Sequence, residues 1–91
     1  MEATRTIFTQ DWETETYGSD ITCHFNEYDK YCAKITELHF LQSDEKFSVD
    51  VFEIIEGTSW FMNDPLYSKP ARCFEDAKAK AELFILKQLK K

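Results

Sequence analysis

A chain of 91 residues with 17 acidic and 11 basic side chains, only two Gly and two Pro, and no low-complexity run has room for one packed core and little reason to be disordered. Eight Phe, four Tyr and two Trp supply bulky core material, whereas no apolar run approaches the ~18–20 residues that span a bilayer. Three cysteines (Cys23, Cys32, Cys73) without a close-spaced pair, and a start lacking the basic-then-apolar pattern of a signal peptide, argue against a disulfide framework and for a reducing, cytoplasmic setting.

Period-two patterning dominates the first half of the chain and predicts strands. The first, over about 5–15, alternates Phe8, Gln10 and Trp12 with Thr9, Asp11 and Glu13, and 16-TYGSD-20 supplies turn residues. The second, 21–27, sets Ile21, Cys23 and Phe25 against Thr22, His24 and Asn26. A turn near Tyr28-Asp29-Lys30 leads to a third strand, 32–41. The polar stretch 43-SDEK-46 then leads to a fourth, 47–55. Pairing Gln42 with Phe47 places Phe40 opposite Val49, Leu38 opposite Val51 and His39 opposite Asp50. Ala33 and Ile35 have the opposite parity to Leu38 and Phe40, which calls for a bulge near Thr36 or a strand apolar on both faces. The competing pattern is a helix over 27–41 with Tyr28, Tyr31, Ile35 and Leu38 on one stripe.

Residues 56–73, punctuated by Gly57, Pro65 and Pro70, read as loop, with room for a short strand at Trp60-Phe61-Met62. A C-terminal helix is predicted over about 76–90, with Asp76 as N-cap and a core stripe of Phe74, Ala77, Ala81, Phe84 and Ile85. The expected fold is therefore α+β: one ββββα domain over 1–91, an antiparallel β-meander of about four strands (5–15, 21–27, 32–41, 47–55) packed on one C-terminal helix. A single helix covers one face of a sheet. The other face and a second helix face bearing Leu83 and Leu86 suggest a partner or a homodimer.

Charge is distributed unevenly. Residues 1–67 hold fourteen acids and four bases, and residues 68–91 hold three acids and seven bases. Within 10-QDWETETYGSD-20, Asp11, Glu13 and Glu15 recur at every second position, which on a strand spaces the carboxylates about 6.6–6.8 Å apart. Repulsion between them in water is well under ~1 kcal/mol per pair. Such a row protects an edge strand from self-association, and it also suits a basic partner. Carboxylates so extended do not converge on one ion, and no CxxC or HxxxH spacing accompanies Cys23, His24, Cys32, His39 and Cys73, so no metal or cofactor is expected. With no phosphate loop, nucleophile elbow or catalytic loop, no enzyme is expected.

The stretch 74-FEDAKAKAE-82 is similar, over nine residues, to the sheet-to-helix junction of double-stranded-RNA-binding domains and plant ethylene-response-type DNA-binding domains. That resemblance implies a nucleic-acid-binding module, and since phosphate contacts need Lys or Arg, its binding residues here would be those of the helix end, Lys78, Lys80, Lys87, Lys90 and Lys91. Those families carry basic sheets or loops, whereas the sheet region here is acidic. The first expectation is thus a non-enzymatic acidic binding or inhibitor protein, comparable in size and charge to phage-encoded inhibitors of host defence. It would dock on a basic surface of another protein, such as a nucleic-acid-handling one, through Asp11, Glu13 and Glu15 for charge and Trp12, Tyr17, Trp60 and Phe61 as aromatic anchors. Nucleic-acid binding by the helix and a dimeric assembly role are the alternatives.

Overall fold

In the computed structural model, which describes residues 7–8, 11–40, 46–57 and 64–90, the alternating segments pair as one five-stranded antiparallel sheet in the order β1-β2-β3-β4-β5, with one helix packed on it. The strands are β1 (Glu13–Tyr17), β2 (Ile21–Tyr28), β3 (Tyr31–Leu38), β4 (Phe47–Glu53) and β5 (Tyr67–Ala71), followed by α1 (Phe74–Leu89). The fold is α+β, as expected, with one more strand. The helix alternative over 27–41 is replaced by β2, a turn and β3. At that turn Asp29 takes φ 57°, a left-handed conformation that a short polar side chain tolerates.

The core lies between the helix and one sheet face. Ala33, Ile35, Val49, Val51 and Ala71 from the sheet meet Ala77, Ala81 and Ile85 from α1, all buried. Each Val or Ile removed from water contributes roughly 1.5–3 kcal/mol. Ala77 and Ala81 carry only a methyl group, which lets the helix axis approach the sheet closely. Phe74 and Phe84 flank this stripe as predicted, and Tyr67 of β5 stacks on Phe84 at 4.9 Å.

Register between β3 and β4 differs from the sequence expectation. Phe47 pairs with Glu37, not Gln42, and Val49 and Val51 pair with Ile35 and Ala33. Pairing is continuous from Tyr31 to Glu37, so no bulge interrupts it at Thr36. The offset of five positions is odd, so it reverses which face of β3 meets the apolar face of β4. The physical reason is area: this register puts Tyr31, Ala33 and Ile35 under the helix together with Val49 and Val51. Leu38 is left on the opposite face, and Phe40, in the turn beyond β3, is 60% exposed. His39 therefore does not oppose Asp50. Its Nε2 shares a 2.7 Å hydrogen bond with Thr22 Oγ1, and its Nδ1 lies 3.6 Å from the Glu37 carboxylate.

Element bounds shift in the same way. Asp11 and Trp12 precede β1 as non-strand backbone, although the first strand was expected over 5–15, and β4 ends at Glu53. Within the expected 56–73 loop lies β5, placed by Tyr67 opposite Val51 and Ala71 opposite Phe47. The short strand expected at Trp60-Phe61-Met62 lies outside the described residues. Helix α1 starts earlier than predicted because Cys73, not Asp76, is the N-cap: its Sγ accepts the Asp76 N–H at 3.4 Å. Asp76 instead reaches back, its Oδ2 accepting the Arg72 N–H at 3.0 Å, a variant of the reciprocal capping box. Among the described residues, no helix is long and apolar enough to cross a membrane.

Candidate partner-binding surface

The turn after β1 determines where its carboxylates point. Tyr17 pairs with Ile21 across Gly18-Ser19-Asp20, and Gly18 takes φ +67°, a conformation that glycine adopts without the strain of a Cβ. The register opposes Glu13 to Phe25, Glu15 to Cys23 and Tyr17 to Ile21. It carries on to place Cys23 opposite Thr36, Phe25 opposite Lys34 and Glu27 opposite Cys32. All of these share the sheet face opposite α1, because His24 and Asn26 oppose the helix-facing Ile35 and Ala33.

On that face a recess of about 620 Å³ is lined by Glu13, Glu15, Tyr17, Phe25, Glu27, Cys32 and Lys34, while Cys23, Cys32 and Phe52 on the same face are buried. A smaller recess of about 150 Å³ adjoins it, lined by Asp11, Glu13, Phe25, Asn26 and Glu27. Glu13, Phe25 and Glu27 belong to both, so the two recesses adjoin as a trough with a carboxylate rim and an apolar wall that runs from this face to the sheet edge at Asn26. Every residue of β1 is exposed. Tyr17 donates its hydroxyl to Glu15 Oε1 at 2.6 Å, which raises the phenol above its ordinary pKa and holds the Glu15 carboxylate in place. Cys32, 1% exposed, forms part of the lining, and burial pushes its thiol up to about 12, so it contributes apolar volume rather than a thiolate.

The residues singled out from the sequence divide accordingly. Asp11, Glu13, Glu15 and Tyr17 meet on the trough, with Asp11 contributing from the segment ahead of β1. Trp12 packs on the other side of the sheet, its ring 5.0 Å from Phe8 and 5.3 Å from Phe74, in a cluster that His24 joins 5.0 Å from Phe74. Trp60 and Phe61 lie outside the described residues. Sequence reading missed Glu27, Phe25, Cys32 and Lys34. Their signal was the parity shared by Phe25 and Glu27, together with a two-residue turn at Asp29-Lys30 that sets Cys32 opposite Glu27.

Two other groupings contain reactive side chains. Glu37, His39 and Thr22 form an acid–imidazole–hydroxyl series at the sheet end, but Glu37 Oε2 also lies 3.5 Å from Lys46 Nζ, and the series is outside both recesses. On α1, Lys78 pairs with Glu75 and sits over the Phe74 ring, while Lys80 pairs with Asp76 and donates to the Pro70 carbonyl. Among the described residues, no three His, Cys, Asp or Glu side chains are grouped so as to hold a metal ion.

No family model, curated protein or solved structure matches this chain.

Proposed function

We propose that this protein is a non-enzymatic binding protein whose acidic sheet side, with β1 exposed along its length, docks on a basic surface of another protein and blocks or adjusts it. The observation that carries this reading is the trough itself. Glu13, Glu15, Glu27 and Asp11 surround an apolar wall on a face that α1 leaves uncovered, with Lys34 the one base in the lining. Carboxylates on exposed backbone gain little from one another, but aligned on one face they create a field that steers a cationic partner and speeds encounter. Phe25 and Tyr17 add contact area beside the charge. Proteins that handle nucleic acid present basic surfaces of the required sign, which makes them the favoured class of partner.

The nucleic-acid alternative draws on the helix lysines. Lys78 and Lys80 are engaged with Glu75, Asp76 and the Pro70 carbonyl, which leaves them less available for phosphate and favours the acidic face.

The test is a pulldown from host lysate at low and moderate salt, followed by titration of the captured protein against wild type and the triple variant Glu13→Lys, Glu15→Lys, Glu27→Lys. Docking through this face requires at least a tenfold loss in the variant and an association rate that falls as salt rises. Unchanged affinity after charge reversal, or capture of DNA or RNA that fades with salt, would reject it in favour of the helix.

A further inference from the structure

The two edges of the sheet are built differently. At the β5 edge, Pro70 has no N–H to offer, its carbonyl already accepts from Lys80 Nζ at 2.8 Å, and α1 packs beside the strand. At the β1 edge, the strand carries a normal backbone from Glu13 to Tyr17, pairs with β2 on one side, and has no strand beyond it among the described residues. Its outer N–H and C=O groups form a template for one more strand.

The side chains of β1 decide which chain can use that template. Glu13, Glu15 and Tyr17 face the trough, and Thr14 and Thr16 face the other way. A second copy of this protein is a poor fit, since pairing β1 with itself about Glu15 sets the two Glu15 side chains against each other, and a shift by one residue sets Glu13 against Glu15, where cross-strand like charges repel. A basic segment reverses that sign. Residues of an added strand recur on one face at the same spacing of about 6.6–6.8 Å as Glu13 and Glu15, so two successive alternate Lys or Arg meet these two carboxylates and a third lies beside Tyr17. The intervening residues lie beside the Thr14 and Thr16 hydroxyls, where small polar side chains fit.

We propose that the partner is captured by strand addition: an extended segment with Lys or Arg at alternate positions pairs its backbone with the outer edge of β1 and lays its cationic side chains along the acidic trough. This rests on the docking reading above and adds to it the conformation and sequence pattern of the segment bound.

The probe is a fluorescein-labelled peptide of about nine residues alternating Lys and Ser, long enough to cover a strand of typical length. It is compared at low salt with a peptide of the same composition whose lysines form one block. Two further versions carry N-methyl groups on every Lys or on every Ser. Because successive backbone groups of a strand point to opposite sides, only one of the two N-methylated sets removes the donors that face β1. Strand addition requires the alternating peptide to bind at least tenfold tighter than the block peptide. It also requires one N-methylated set to lose binding while the other retains it, and amide exchange to slow across residues 13–17. Glu13→Gln or Glu15→Gln would each weaken binding about two- to fivefold, the range of a cross-strand charge pair. Equal binding of alternating and block peptides, or of both N-methylated sets, overturns strand addition while leaving charge-driven docking in place. Failure of every cationic peptide to bind, with the fold confirmed by circular dichroism, also overturns strand addition, whereas the docking reading falls only if the Glu13→Lys, Glu15→Lys, Glu27→Lys variant keeps its affinity for the captured protein.

Discussion

Lys80 donates its ammonium to the Pro70 carbonyl at 2.8 Å, joining the first half of α1 to the last strand of the sheet. The same ammonium lies 3.2 Å from the Asp76 carboxylate one helical turn back, so it links the helix start, the helix body and β5. Half-exposed ion pairs alone contribute little, whereas a charge-assisted hydrogen bond to a backbone carbonyl that would otherwise need water contributes more. Lys80→Met keeps the aliphatic stem and removes the charge. It is expected to lower unfolding free energy by about 0.5–1.5 kcal/mol in urea titrations, with the m-value unchanged. A loss below a few tenths would mean that water replaces the ammonium without penalty.

The Asp76 carboxyl is held below its ordinary pKa, first by the Arg72 N–H and then by Lys80. A carboxyl lowered in the folded state stabilises fully above its unfolded value of about 3.9, and that contribution disappears as pH falls through the lower folded value. Asp76→Asn lacks this dependence. Wild type should therefore exceed Asp76→Asn in urea midpoint at pH 7, with the gap closing as pH is taken below about 4. A gap of constant size down to pH 3 would show that the carboxylate charge does not matter at this helix start.

Cys73 caps α1 with a thiol, a weak hydrogen-bond acceptor, where serine or threonine is usual. Cys73→Ser should stabilise the protein by several tenths to about 1 kcal/mol. Thiol labelling gives an independent check. Cys73 is exposed while Cys23 and Cys32 are buried, so one of the three thiols should react quickly at pH 8 and the other two only at the rate of unfolding. Two fast thiols in the native protein would show that the sheet face away from α1 opens around Cys23 or Cys32.

Ile85 is fully buried between α1 and the sheet, beside Ala77 and Ala81, which leave little surrounding volume to collapse. Ile85→Ala should cost about 2–5 kcal/mol, a large share of the stability available to a domain of this size. Leu83→Ala, on the outer side of the same helix at 60% exposure, should change stability by under about 0.5 kcal/mol. Comparable losses from both would indicate that the outer helix face is covered in solution, as a dimer would require.

The candidate surface is half legible in the sequence. Glu13 and Glu15 share parity with Tyr17, which is enough to place them together on any strand. Glu27 joins them only because β2 pairs antiparallel with β1 and brings Phe25 opposite Glu13. Trp12 has the composition of an anchor residue, yet its parity opposite Glu13 sends it to the helix side, against Phe8 and Phe74.

Local periodicity was sufficient to determine that this chain alternates into strands and ends in an amphipathic helix carrying Ala77, Ala81 and Ile85 inward. It was also sufficient to show that acids gather ahead of bases. Tertiary structure alone decided the β3–β4 register, the strand status of Tyr67–Ala71, and which sheet face meets the helix. The reason is that a period of two says which residues share a face, not which face will meet the helix or how long each connecting turn will be. Those choices follow from how much apolar surface Ile35, Val49 and Val51 can bury together beneath α1, and that sum exists only once all the elements are packed.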